Sequence, residues 1–471
     1  MKISPTVCPR GCRRLRLEID SPRGLMPSSS KTALFSALVA FVVHFNSVFN
    51  GVVWDDRAAL TTNPDAIQAR ALRELWVHDF WGQDISASDS HKSYRPLAVL
   101  SLRLNHQLHG LAPWGYHLGN VVLNSVCCYL FSVLAGLILT KYWHGRVPGW
   151  RIEEVVCLCS ALFALHPIHT EPVSCIVGRS DLLSAAFYLS AALSYWQVGV
   201  KGTGFAARSG WLLLALALGF CAALSKELGV TVFGLMVSSE IVSALGSSNG
   251  GEREIDLKEV GKRLWNHFKG LRVGLTALLL LLAPMLVIKL HMSLHGTTAM
   301  YKWTILENDI SLLPSAAHRV MSYGHVHCLY LYKLFWPFRL SYDYGWACIS
   351  PVLAILDYRN VVTLGVYVIV LGFAFVGATR RNGVYLWSGA MLVVPFLPAS
   401  NLFFPVGTVL GERLLYLPSM GFCLGLPVIA LDVFGGGKGS GRGGRKKAKT
   451  KRSVWRWFVL LLLGTPLALK R

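Results

Sequence analysis

Apolar residues along this chain gather into separate runs rather than alternating with polar ones. Runs of about 14 to 24 residues fall at 33–50, 117–140, 153–166, 181–198, 211–225, 228–246, 273–290, 361–378, 384–399, 414–432 and 454–469. Most approach the roughly 20 residues that a helix needs to cross a bilayer. The pattern predicts an all-α integral membrane protein, a polytopic bundle of about eleven transmembrane helices. The segment Val320 to Phe338 is also apolar and aromatic, but His325, His327, Lys333 and Pro337 interrupt it. It is expected to lie along the membrane surface, with Tyr330, Tyr332 and Trp336 at headgroup level.

Charge placement adds a topology. The 471 residues are 53% hydrophobic and 15% charged, with mean hydropathy +0.46, well below the quarter charged that soluble domains carry. The formal net charge of +21 would suggest nucleic acid on a soluble protein; here it clusters, and no nucleic-acid partner is expected. Residues 1–32 form a basic segment, with seven basic against two acidic side chains up to Lys31, and Lys438 to Arg452 holds eight basic residues and no acid. Under the positive-inside rule both are cytosolic. The loop 51–116 carries seven acids against six bases and reads as lumenal. The Gly/Lys/Arg-rich stretch 435–453 reads as a cytosolic linker before the last span, 454–471. The run after the basic N-terminus is too long for a cleaved leader and reads as a retained anchor. Cys127-Cys128 and Cys157-x-Cys159 lie in apolar runs without metal-site spacing and read as small buried hydrophobes.

The lumenal loops then hold the candidate chemistry. Asp55 and Asp56, in Val53-Trp54-Asp55-Asp56-Arg57, follow the first span. They are either a solvated helix exit or a catalytic pair, because a hydroxyl nucleophile needs a carboxylate to take its proton. The turn Leu165-His166-Pro167-Ile168-His169-Thr170-Glu171-Pro172 has a crude metal-ligand look, but its prolines preclude the regular helix that would align the imidazoles. No metal is assigned; His169 and Glu171 are candidates for binding substrate hydroxyls. Arg179, in Gly178-Arg179-Ser180-Asp181, suits bidentate phosphate binding. Lys226-Glu227 forms a hairpin tip, and Glu412-Arg413 stands at the mouth of a span. Arg179, Lys226 and Arg413 are therefore candidates to converge on a donor phosphate. Arg95 in Tyr94-Arg95-Pro96, at a fixed turn, and Glu412 complete the substrate-binding candidates.

Polyisoprenyl-phosphate-dependent glycosyltransferases of the GT-C type place their catalytic acid as Asp55 and Asp56 are placed. Trp54-Asp55-Asp56, Tyr94-Arg95-Pro96-Leu97, His166-Pro167-x-His169-Thr170-Glu171, Gly178-Arg179-Ser180-Asp181, Lys226-Glu227 and Glu412-Arg413-Leu414-Leu415-Tyr416-Leu417-Pro418-Ser419 together resemble the transmembrane and tetratricopeptide-repeat-containing (TMTC) O-mannosyltransferases. A segment within about 291–360, including Leu340-Ser341-Tyr342-Asp343-Tyr344, looks like the small region that marks this family, inside a transferase domain over 33–434. The resemblance implies a GT-C-like bundle in the endoplasmic reticulum membrane and inverting transfer of mannose from dolichyl-phosphate-mannose to Ser or Thr of secretory-pathway proteins. The lipid-linked donor would be a substrate, with no cofactor implied. The family carries lumenal 34-residue helical repeats, and no such period occurs in these 471 residues.

Alternatives are a polyisoprenyl-phosphate-sugar transferase acting on a lipid-linked glycan, a transporter, and a noncatalytic scaffold. A transporter would place ionisable residues within the spans, whereas few beyond His44 and Glu240 lie there. The topology has a direct test: protease added to sealed microsomes is expected to cut the basic run 435–453 and spare the loop 51–116. Protection of the basic run would overturn this orientation.

Overall fold

In a computed structural model the described residues are 27–88, 90–143, 150–200, 202–246, 256–269, 303–342 and 344–434. Nine of the eleven apolar runs coincide with helices there. The runs 273–290 and 454–469, with the basic segments 1–26 and 435–453, lie outside the described residues. Along the chain the longer helices are α1 (Pro27–His44), α2 (Pro96–His109), α3 (Pro113–Trp143), α4 (Trp150–Leu165), α5 (Arg179–Val198), α6 (Phe205–Ser225), α7 (Thr231–Leu245), α8 (Leu257–Phe268), α9 (Ala316–Phe335), α10 (Tyr358–Thr379), α11 (Gly383–Val393) and α12 (Ser419–Phe434). No strand forms among the described residues; a single bridge joins His78 and Asp84.

Among the described residues six segments are long and apolar enough to cross a membrane: Ser30–Phe49, Pro113–Trp143, Phe205–Ser225, Glu227–Leu245, Tyr358–Thr379 and Gly383–Ser400. The protein is a multi-pass membrane protein. Three predicted spans fall short for physical reasons. Helix α5 opens on Arg179 and Asp181 and is rich in Ser and Tyr, α12 has only 16 residues, and α4 meets Pro167, where the chain bends by 43° into Pro167–Ser174. That second arm carries His169 and Glu171 and packs beside the turn at Glu412. Of the two ionisable residues expected inside spans, Glu240 accepts from Tyr195 Oη at 2.8 Å and pairs with His267 Nε2 at 2.9 Å.

Helix α3 is the axis of the core. Its Phe131, Leu134, Ile138 and Tyr142 are buried with Phe163 of α4, Leu189 of α5 and Trp387 of α11. Cys127, Cys128 and Cys159 are buried in the same core. By contrast α10 turns Val361, Leu364, Val368, Ile369 and Leu371 outward, as a lipid-facing helix does.

The loop between α1 and α3 is itself folded. Leu60, Leu75, Phe80, Val99 and Leu102 form a small separate core that closes on Ile176 and Val177. Buried polar groups tie its turns together: Asp65 pairs with His78 at 2.8 Å, and Asp79 Oδ1 accepts from the Trp81 and Gln83 amides, each at 3.0 Å. The segment expected to lie along the surface forms α9, which is not among the six membrane-crossing segments; of the rings expected at headgroup level Tyr332 and Trp336 are exposed, whereas Tyr330 is buried in the core. Its Tyr330 hydroxyl accepts from the Gly411 amide at 2.9 Å, and its Lys333 is buried. This helix therefore braces the turn that precedes α12.

Close approach of α11 and α12 depends on Gly421, where a Cβ would lie 2.3 Å from the Leu392 nitrogen and 2.4 Å from the Ser388 carbonyl oxygen. Small residues allow such helix contacts in membranes. Gly421→Ala must push the two backbones apart, at a cost of about 1–3 kcal/mol. Its thermal unfolding in detergent is expected several degrees below the parent; an unchanged transition would contradict this packing.

Candidate active site

Where the first span ends, the chain turns sharply through Trp54, whose φ of 42° lies in the left-handed region. The turn closes with the Asp56 amide donating to the Val53 carbonyl at 2.9 Å, and it sends the two carboxylates in different directions. Asp56 is fully buried, and its Oδ1 accepts from the Val177 amide at 2.9 Å. Burial raises its pKa, against the lowering effect of the backbone hydrogen bonds. Asp55 remains 41% exposed and faces Arg413, with Oδ2 3.9 Å from Nη1. The adjacent pair is thus one fixed internal carboxylate and one accessible carboxylate.

Arg413 is the centre of the site. Its amide donates to Glu171 Oε2 at 2.8 Å and its Nε lies 3.6 Å from Glu171 Oε1. Glu171 is brought there by the arm after Pro167, whose tight return requires Gly178: a Cβ at that position would lie 2.1 Å from the Pro172 carbonyl oxygen. Burial pushes the Glu171 carboxyl up to about 7, with Arg413 acting in the opposite direction. The surrounding carboxylates Glu171, Asp181 and Asp55 outweigh burial at Arg413 and raise its pKa, which keeps it charged.

The other candidate cations are already neutralised or enclosed. Lys226 Nζ meets Asp181 Oδ1 at 2.6 Å, and each side chain is only 5% exposed. Burial lowers the Lys226 pKa and Asp181 opposes it. Arg95 holds Glu227 through Nε at 3.0 and 3.1 Å and stacks over Phe80 at 5.2 Å. Arg179 is buried and donates to Asn120 Oδ1 at 2.5 Å, Asn105 Oδ1 at 2.7 Å and the Tyr116 carbonyl at 2.7 Å. It is a framework cation that fastens α2 and α3 to the start of α5.

Two further sequence candidates have packing roles. His169 is fully buried between Phe163 and Tyr416, each ring centroid 4.5 Å away. Ser419 Oγ gives its proton to the Tyr416 carbonyl at 2.7 Å, so His169 Nε2 donates to it at 2.9 Å. This imidazole is not brought to the cleft. Glu412 is buried and turned away from Arg413. Its Oε1 accepts from the Ser341 amide at 2.9 Å and from the Tyr344 hydroxyl, and Lys333 Nζ lies 3.3 Å away. In all, the fold brings Asp55, Glu171 and Arg413 together, places the Lys226–Asp181 and Arg95–Glu227 pairs beside them, and holds His169, Arg179 and Glu412 in supporting positions.

Residues 298–371 match the family described as "Protein O-mannosyl-transferase TMTC, DUF1736", a stretch that overlaps the region marked from sequence at about 291–360. The human Protein O-mannosyl-transferase TMTC4 is 35% identical over 419 residues, 85% of this chain and 56% of that protein. Human TMTC3 is 33% identical over 82% of this chain and 41% of its own length. Drosophila melanogaster Tmtc1 is 30% identical over 96% and 57%. The chain belongs to the TMTC family. It spans about half the length of the curated relatives it matches.

Sequence reasoning missed Lys333, Asp181 and Tyr342 in this TMTC chain. Lys333 carried a signal: a lysine on an otherwise apolar helix must find a buried acceptor or anion. Asp181 and Tyr342 had none, since only the folded chain brings them to Arg413.

The raised Glu171 carboxyl has a consequence for stability. A group whose folded pKa, about 7, exceeds its unfolded value binds more protons in the native state. Its contribution therefore favours folding at low pH and is lost as pH rises from the unfolded value through about 7. Glu171→Gln is expected to flatten the fall in melting temperature between mildly acidic and mildly alkaline pH relative to the parent. Parallel melting curves for parent and variant would contradict this assignment.

Proposed function

We propose that this protein transfers mannose from dolichyl-phosphate-mannose to Ser or Thr hydroxyls of secretory-pathway proteins, as a GT-C type enzyme of the endoplasmic reticulum membrane with its site on the lumenal side. The lipid-linked donor and the protein acceptor are its partners. The observation that carries the reading is the contrast among cations. Lys226 and Arg95 are closely paired and Arg179 is enclosed, whereas among the described residues the Arg413 guanidinium makes long contacts, 3.6 and 3.9 Å, to carboxylates. It stands next to the accessible Asp55. The family name of the relatives agrees with this chemistry.

In the proposed step Asp55 takes the proton of the acceptor hydroxyl as its oxygen attacks the anomeric carbon. The carbon–oxygen bond to the lipid phosphate breaks, and the bonding pair leaves with the phosphate. One displacement inverts the anomeric centre. The leaving group is already an acidic phosphate, so a fixed cation such as Arg413 stabilises it without a general acid. Protonation of Glu171 near neutral pH would release Arg413 from one of its anionic partners and favour phosphate binding. Asp56 serves as the internal carboxylate that holds the 174–178 turn against the loop.

Transfer from labelled dolichyl-phosphate-mannose in membranes holding equal amounts of each variant tests the reading. Asp55→Asn keeps size but removes basicity and is expected to lower transfer by about 100- to 10,000-fold, with donor binding little changed. Arg413→Ala is expected to weaken donor binding as well as turnover, because the charge acts on ground state and transition state alike. Transfer by Asp55→Asn at the parent rate would sink this mechanism.

A further inference from the structure

The region that marks the TMTC family meets the turn that presents Arg413 at Glu412. Glu412 Oε1, Lys333 Nζ and the Tyr344 hydroxyl form a knot. Lys333 donates to the Arg339 carbonyl at 3.1 Å and lies 2.5 Å from Tyr344 Oη, and the Ser341 amide reaches both Tyr344 Oη and Glu412 Oε1 at 2.9 Å. The knot fixes Arg339, Ser341 and Tyr344 against the turn that presents Arg413. Between its members stands Tyr342, whose hydroxyl is buried and has no hydrogen-bond partner among the described residues. A buried phenol ordinarily finds one. Asp55, Asp56 and Arg413 are its electrostatic neighbours, and burial together with the carboxylates holds its pKa well above the usual value, so it stays a donor at physiological pH.

We propose that Tyr342 donates a hydrogen bond to the phosphate of the lipid-linked donor beside the Arg413 guanidinium, so that the DUF1736 region supplies one wall of the site. The inference rests on the transferase reading above. A fixed O–H donor next to a cation complements an anion, and this O–H makes no hydrogen bond among the described residues. Glu412 and Arg413 then divide the work: one holds the loop that carries Tyr342, and the other meets the same phosphate.

Binding of a polyisoprenyl phosphate without sugar to the full chain in nanodiscs, followed by native mass spectrometry, tests this. Tyr342→Phe keeps the ring and removes only the hydroxyl, and is expected to weaken binding about ten- to hundredfold, the scale of a hydrogen bond to a charged group. Its ligand-free melting temperature should equal or exceed that of the parent, because no existing bond is lost. Tyr344→Phe breaks the knot and is expected to melt lower. Equal phosphate affinity in the parent and Tyr342→Phe, while Arg413→Ala loses affinity, would overturn the Tyr342 assignment alone. So would a loss seen only with the sugar-bearing lipid, or a lower ligand-free melting temperature for Tyr342→Phe. A parent that binds no polyisoprenyl phosphate would instead overturn the transferase reading along with it.

Discussion

The arrangement depends on placing a guanidinium among carboxylates at the end of an apolar bundle. At 3.6 to 3.9 Å, one opposite charge gives about 4 kcal/mol at an effective dielectric constant of about 20. Removing an ion from water costs several kcal/mol. A single carboxylate therefore only roughly offsets the desolvation of Arg413, and a second makes the charge secure. Glu171 and Asp55 supply those charges from two separate parts of the chain, the arm after Pro167 and the first loop.

The neighbouring pairs obey the same constraint with a different outcome. Lys226 and Asp181 are almost wholly enclosed and meet at 2.6 Å; each cancels the other and neither is free for a ligand. Arg179 is satisfied by neutral oxygens of Asn105, Asn120 and Tyr116, and its duty is to fasten helices. Arg413 differs because its contacts are long and partly open. Among cations gathered at one end of the bundle, the distance to the nearest anion separates a closely paired charge from a loosely paired one.

The dipeptide Glu412-Arg413 joins the two halves of this system. A short 3-10 turn over Glu412–Leu415 points consecutive side chains apart, so Glu412 engages Lys333 and Tyr344 while Arg413 engages Glu171 and Asp55. Order in the family-marking region is thereby linked to order in the site. Neither side chain alone would transmit that link, since the backbone between them is what the two contacts share.

Hydropathy alone was enough to find nine of the described helices, because burying apolar length in lipid is a one-dimensional property of the chain. Motif composition likewise brought Asp55, Glu171 and Arg413 into view as candidates, with a solvated helix exit still open for the Asp55-Asp56 pair. What sequence left open was which member of each group is available: Asp55 or Asp56, and Arg413, Lys226 or Arg179. Those choices turn on burial and on partners more than a hundred positions away, such as Val177 for Asp56 and Glu171 for Arg413. His169 and Glu412 looked like ligand groups from composition and became packing elements through Ser419 and Lys333. Periodicity reports where a chain prefers lipid to water, but only tertiary contacts decide which charges are cancelled and which remain open.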